Sequence, residues 1–119
     1  TGNREQGTGN REQGTGNREQ GMNFGDYDAK AARTIKPGLD ENERLIDAAA
    51  GLAEEAGEVL AIVRKHLYQD RELDREKLEK ELGDALWCLA MTARAAGLSL
   101  ESVAAGNIKK LEQRHADRL

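Results

Sequence analysis

The chain has 119 residues, a formal net charge of −4, 34% charged residues and one cysteine, Cys88. A mildly acidic balance argues against a nucleic-acid partner, and a single cysteine excludes an internal disulfide and fits a reducing cytoplasm. No apolar run reaches bilayer-spanning length, so the expectation is a soluble cytoplasmic protein with no membrane partner.

Residues 1–21 are three copies of Thr-Gly-Asn-Arg-Glu-Gln-Gly. They contain no apolar residue and cannot offset their own chain entropy. The segment is expected to be disordered or an artificial extension, with Met22 as the natural start and residues 22–119 as one domain. A short first helix is expected from Asp26 to Thr34, ended by Pro37-Gly38. Asp40 with Glu43 reads as a capping box opening a long helix to about His66 or Tyr68. Asp74 caps a third helix that ends near Ala96, with Gly97 as a left-handed cap. Ser99 caps a fourth, from Leu100 to about His115. No β-branched alternating run is present. The fold class is therefore all-α: an antiparallel helical bundle of about four helices.

Leu45, Ala49, Leu52, Ala56, Val59 and Val63 recur at helical spacing and are expected to form the packed seam of the second helix. Glu55 and Glu58 lie about 60° and 120° from Leu52, on a flank shared with Ala48, Gly51 and Ile62, while Glu54 turns outward. In the third helix the expected stripe is Leu78, Leu82, Ala85, Leu86, Leu89, Ala93 and Ala96. Glu81 and Asp84 project from a flank shared with Cys88, Met91 and Ala95. Apolar residues cover so much of this helix that another subunit is expected to bury part of it.

Each acidic pair is three residues apart, which puts both carboxylates on one side of a helix. Four carboxylates from two facing helices can surround a hard cation such as Mg²⁺ or Mn²⁺. A single Glu-x-x-Glu in a chain with 22 acidic residues reads as a solvated face. Two such pairs on apolar flanks read as a metal site as readily as a solvated one. Such a cation would relieve the repulsion among clustered carboxylates.

Gly51-Leu-Ala-Glu-Glu-Ala-Gly-Glu58, Glu81-Leu-Gly-Asp-Ala-Leu-Trp87 and Asn107-Ile-Lys-Lys-Leu-Glu-Gln-Arg114 together resemble the MazG-like all-α nucleoside triphosphate pyrophosphohydrolases. The 22-residue gap between Glu58 and Glu81 suits the family pattern of E-E-x-x-E followed by E-x-x-D. Tyr27 and Ala31-Ala32-Arg33-Thr34 resemble the lead-in of compact, phage-type members. The resemblance implies a homo-oligomer, dimer or tetramer, with its site near a subunit boundary. It also implies Mg²⁺-dependent cleavage of a nucleoside or deoxynucleoside triphosphate between the α- and β-phosphates, by attack of a metal-activated water on the α-phosphorus. By motif position Glu55, Glu58, Glu81 and Asp84 would be the metal ligands. Glu54 matches the first motif glutamate, as a group behind the ligands or a base for the water, although its outward placement conflicts with that role.

Asn107, Lys110 and Arg114 share a face of the last helix, opposite a stripe of Val103, Ala104, Ile108 and Leu111. The resemblance implies that Lys110 contacts phosphate and Asn107 contacts sugar, phosphate or base. Lys110 and Arg114 read as readily as solvated cations near a helix C-terminus. Arg64 and Lys65 could meet phosphates or simply end a helix in water. Trp87 could stack on a base or anchor an interface, and Tyr27 reads first as packing. Two other classes compete. A di-iron carboxylate bundle would need two Glu-x-x-His elements, and the chain has one, Glu112 to His115. A non-catalytic assembly or regulatory module would use its acidic pairs in salt bridges to Lys65 and Lys77.

Overall fold

The computed structural model describes residues 21–118. The repeat therefore lies outside the described residues, apart from Gly21. Four helices and no strand are found among the described residues: α1 (Phe24–Ala32), α2 (Glu41–Tyr68), α3 (Arg75–Ala95) and α4 (Leu100–Arg114).

Each helix begins where a side chain satisfies an orphan amide of its first turn. Asn23 accepts from the Asp26 amide at 2.8 Å, which starts α1 two residues before the expected Asp26. Asp40 and Glu43 form the anticipated reciprocal box, at 2.8 and 2.9 Å. Asp74 accepts from the Lys77 amide at 3.1 Å. Ser99 accepts from the Ser102 amide at 3.0 Å, and the Ser102 hydroxyl lies 3.2 Å from the Ser99 amide. The end of α3 is closed by Gly97 at φ 79°, with the Leu98 amide on the Ala93 carbonyl at 2.8 Å and the Gly97 amide on the Arg94 carbonyl at 3.0 Å. A left-handed residue at that point turns the chain back while satisfying two terminal carbonyls, as glycine does best.

Helices α2 and α3 form an extended antiparallel hairpin. Helices α1 and α4 pack on α3 and on each other, and no Cα of either comes within 8 Å of one in α2. The core sits where α1, the upper halves of α2 and α3, and the start of α4 meet: Ala31, Ala48, Ala90, Met91 and Leu100, flanked by Tyr27, Ile35, Leu86 and Trp87. Asp28 is buried in the same region. It accepts from Arg94 at 3.1 Å and from the Leu100 amide at 3.1 Å, tying α1 to the α3–α4 corner.

The expected seams are buried only in part: Ala93 is buried, and Leu52, Val59, Val63, Leu78, Ala85 and Leu86 are half-buried. The buried residues of α2 are Ala48 and Ile62, and those of α3 are Cys88, Ala90, Met91 and Ala93. In α2 the fully buried positions, Ala48 and Ile62, thus lie on the acidic flank, and in α3 Cys88 and Met91 lie on that flank too. Leu45, Leu82, Leu89, Val103 and Ile108, expected inside, remain exposed. The physical reason is size: Ala48, Gly51 and Cys88 let the two backbones approach, whereas a leucine seam would hold them apart.

Candidate metal centre

Glu55 of α2 and Glu81 and Asp84 of α3 each place a carboxylate oxygen within 4.8 Å of the others. Glu55 and Glu81 are half-buried and Asp84 is exposed, so the group opens to solvent on one side. Gly51, one turn before Glu55, sets the spacing: a Cβ there would lie 2.8 Å from the Cys88 Sγ, itself one turn after Asp84. A larger residue at either position would push the facing carboxylates apart.

The electrostatics follow from this crowding. Glu55 is pushed up to about 7, first because it can share a proton with Glu81, then by burial and by the charges of Glu81, Asp84 and Glu54. Without that proton, Glu55 Oε1 is buried with no hydrogen-bond partner. The acceptor is satisfied only when a proton or a cation sits between the two carboxylates. Burial raises the Cys88 thiol, helped by Glu55, Asp84, Asp47 and Glu54. Burial likewise raises the Tyr27 hydroxyl, helped by Asp84 and Cys88. Tyr27 of α1 therefore borders the centre, a position its local sequence did not reveal.

Among the described residues the ion pair is Arg94 to Asp28, and none joins Glu55, Glu81 or Asp84 to a lysine or arginine. The salt-bridge reading of the acidic pairs therefore has no partner cation here. The group contains no histidine, so the ligand set of a di-iron bundle is not assembled either.

Other residues singled out by the sequence fall at varied distances from this group. Glu58 and Glu54 are exposed on α2 and are not among the three that converge. Trp87 lies one turn beyond Asp84. Its ring nitrogen donates to the Thr34 hydroxyl at 2.9 Å, which holds the ring against the α1–α2 connection. There it lines a cavity of about 260 Å³ with Ile35, Arg44, Asp47 and Met91. Asn107 and Lys110 are exposed on α4, which does not reach α2 within one chain.

A helical hairpin whose facing carboxylates leave a buried oxygen unpartnered offers an all-α scaffold with a group of oxygens that could hold a divalent cation. Oxygen-only donors suit Mg²⁺ or Mn²⁺ rather than a softer metal. Residues 44–119 match the MazG nucleotide pyrophosphohydrolase domain. A relative, the Gene 37 protein of Mycobacterium phage L5, is 34% identical over 102 residues, spanning 78% of this chain and 89% of the phage protein. No solved structure matches the chain. The chain belongs to the MazG nucleotide pyrophosphohydrolase family, a family of hydrolases.

Proposed function

We propose that the protein is a Mg²⁺-dependent nucleoside triphosphate pyrophosphohydrolase, with Mn²⁺ as a substitute metal. It cleaves a ribo- or deoxyribonucleoside triphosphate between the α- and β-phosphates, giving a monophosphate and pyrophosphate. The observation that carries this reading is the convergence of Glu55, Glu81 and Asp84 around a buried acceptor that lacks any partner. Glu55, Glu81 and Asp84 hold the cation, with Glu58, one turn along α2, as the fourth ligand. A divalent cation there neutralises phosphate charge and makes a nearby water more acidic. The carboxylates orient the cation and repel an unaccompanied polyanion, so the triphosphate binds together with the metal. Glu54 lies outside this shell, and its charge helps to raise Glu55. Among the described residues no serine or cysteine side chain is hydrogen-bonded to a histidine or carboxylate, which favours direct attack by water as the simplest route.

Trp87 contributes a wall for the nucleoside. Asn107 and Lys110 serve substrate from α4 across a boundary between copies of the chain, since α4 stands away from its own α2. Self-association as a dimer or tetramer is supported by the exposed faces. Leu60, Leu82 and Ile108 are 56%, 50% and 49% exposed, a large apolar outlay for a domain whose core is mostly alanine.

The test is a nucleotide panel with Mg²⁺, scored for pyrophosphate and monophosphate. Chelation and Asp84→Asn are each expected to remove turnover while helicity persists. Release of orthophosphate and a diphosphate instead, or no hydrolysis with either metal, would refute the assignment.

A further inference from the structure

The α2–α3 connection carries a feature that neither the acidic cluster nor the Trp87 cavity uses. Asp70 there has φ 54°, a left-handed backbone rare for any residue but glycine, though aspartate tolerates it better than most. Beside it, His66 donates from Nδ1 to the Arg71 carbonyl at 2.7 Å. With the left-handed Asp70 and the His66 contact in this connection, Arg71 shares a cavity with Lys65 of α2 and Lys77 of α3. These three cations, with buried Ile62 behind them, surround a cavity of about 200 Å³. Glu72 and Asp74 also line it. Asp74 is occupied by the Lys77 amide as the cap of α3. Among the described residues no ion pair ties Lys65, Arg71 or Lys77 to a carboxylate. A strained turn that gathers unpaired cations is a place to look for an anion.

Its position decides which anion. At about 100° per residue, Ile62, Gly51 and Ala48 fall within about 40° of Glu55 on α2, and Lys77 and Cys88 within about 40° of Glu81 on α3. One face of the hairpin therefore presents three features in order. The Trp87 cavity comes first, beside Ala48 and Met91. The carboxylates follow. The cationic cavity lies beyond them, with Lys77 one turn, about 6 Å, from Glu81. A nucleoside triphosphate has the same order: an aromatic end, an α-phosphorus, and two further phosphates. The Trp87 cavity has an aromatic wall and apolar sides at Ile35, Leu39 and Met91; its cations Lys36 and Arg44 share the lining with Glu41 and Asp47, and Arg94 is drawn to Asp28. The cationic cavity has one apolar wall.

We propose that Lys65, Arg71 and Lys77 form the cradle for the β- and γ-phosphates and for the departing pyrophosphate. The proposal rests on the pyrophosphohydrolase reading above. It orients the substrate, with the nucleoside towards Trp87 and the scissile bond over Glu55, Glu81 and Asp84. Water adds to the α-phosphorus and the bond to the bridging oxygen breaks. The electron pair leaves on pyrophosphate, beside Lys77, and the water gives up its proton to solvent. Removing one cation weakens every ligand that contains the pyrophosphate unit and spares the monophosphate.

The experiment uses the full chain with Mg²⁺ and compares Lys77→Ala and Arg71→Ala with Lys30→Ala, a cation on α1 away from the cavity. All three positions are exposed, and circular dichroism checks the fold. Product inhibition by inorganic pyrophosphate is expected to weaken about tenfold in the first two variants, with Lys77→Arg restoring most of it. Inhibition by the monophosphate, and both constants in Lys30→Ala, are expected to stay within twofold. Unchanged pyrophosphate inhibition, or equal weakening of both products, overturns the cradle while leaving the activity intact. If no nucleotide is hydrolysed, the activity reading fails by itself, and calorimetric titration of Mg²⁺-pyrophosphate still decides. Binding lost in Lys77→Ala upholds the cradle; equal or absent binding in wild type and variant overturns it.

Discussion

Gly51→Ala perturbs the closest approach of α2 to α3, one turn from the carboxylates. The new methyl would meet the Cys88 Sγ at 2.8 Å, well inside van der Waals contact. Cys88 is buried, so its thiol can escape only by a poorer rotamer or by parting the helices. Overpacking of this kind costs about 1–3 kcal/mol. Replacing a mid-helix glycine by alanine returns about 0.5–1 kcal/mol. The net expectation is a loss of about 1 kcal/mol, or a fall in Tm of about 4–8 °C for a domain of this size. Thermal unfolding by circular dichroism without metal measures it. Cys88→Ala supplies the other arm of a double-mutant cycle. In that background Gly51→Ala should stabilise rather than destabilise, giving a coupling of about 1–3 kcal/mol. A parted hairpin also spreads Glu55 from Asp84, so the single variant should bind Mg²⁺ more weakly and the double variant should recover. Gly51→Ala more stable than wild type, with Cys88 present, would refute the close approach and the reasoning built on it.

Four further outcomes are expected. Because Glu55 is raised from 4.5 to about 7, the metal-free fold holds a proton that the unfolded chain has already lost, so its stability should fall as pH rises from about 4.5 through about 7; a urea series across that range checks the sign. Mg²⁺ affinity should run the other way, rising through the same range with release of about one proton, read by calorimetry in buffers of different ionisation heat. Asp28→Ala removes the buried acceptor of Arg94 and the Leu100 amide and should cost about 1–3 kcal/mol, most of it from the amide because Arg94 is half-exposed. Leu60→Asp, on an exposed apolar face, should lower the mass measured by light scattering without lowering monomer helicity; an unchanged assembly would exclude that face as the interface.

Local signals were legible wherever one residue does one job. Asp40 with Glu43, Asp74, Ser99 and Gly97 mark their helix ends from sequence because a cap needs only a side chain and its neighbours within three residues. The pairing of Glu55 with Glu81 and Asp84 was legible for a similar reason: helical spacing fixes the face, and a short antiparallel connection fixes the partner. Tyr27 was not, because its approach to Asp84 depends on where α1 comes to rest, which no nearby residue states. Arg71 was not, because it reaches its cavity through a left-handed Asp70 that ordinary turn patterns do not announce.

The partly exposed seams carry the larger lesson. Leu45, Leu82 and Leu89 are stripe positions left exposed, while Leu52, Leu78 and Leu86 are half-buried and the closest approach of α2 to α3 falls at Gly51 and Cys88. Hydropathy ranks the faces that prefer to leave water, and it is silent on whether the cover comes from the same chain. Small residues let two backbones come close, and that closeness brings three carboxylates within reach of one cation. A leucine seam between α2 and α3 would bury more apolar area but would hold Glu55 too far from Glu81 to share anything. The closest approach within the hairpin therefore lies beside the three carboxylates, and Leu45, Leu82 and Leu89 stay exposed on the faces that this approach does not use.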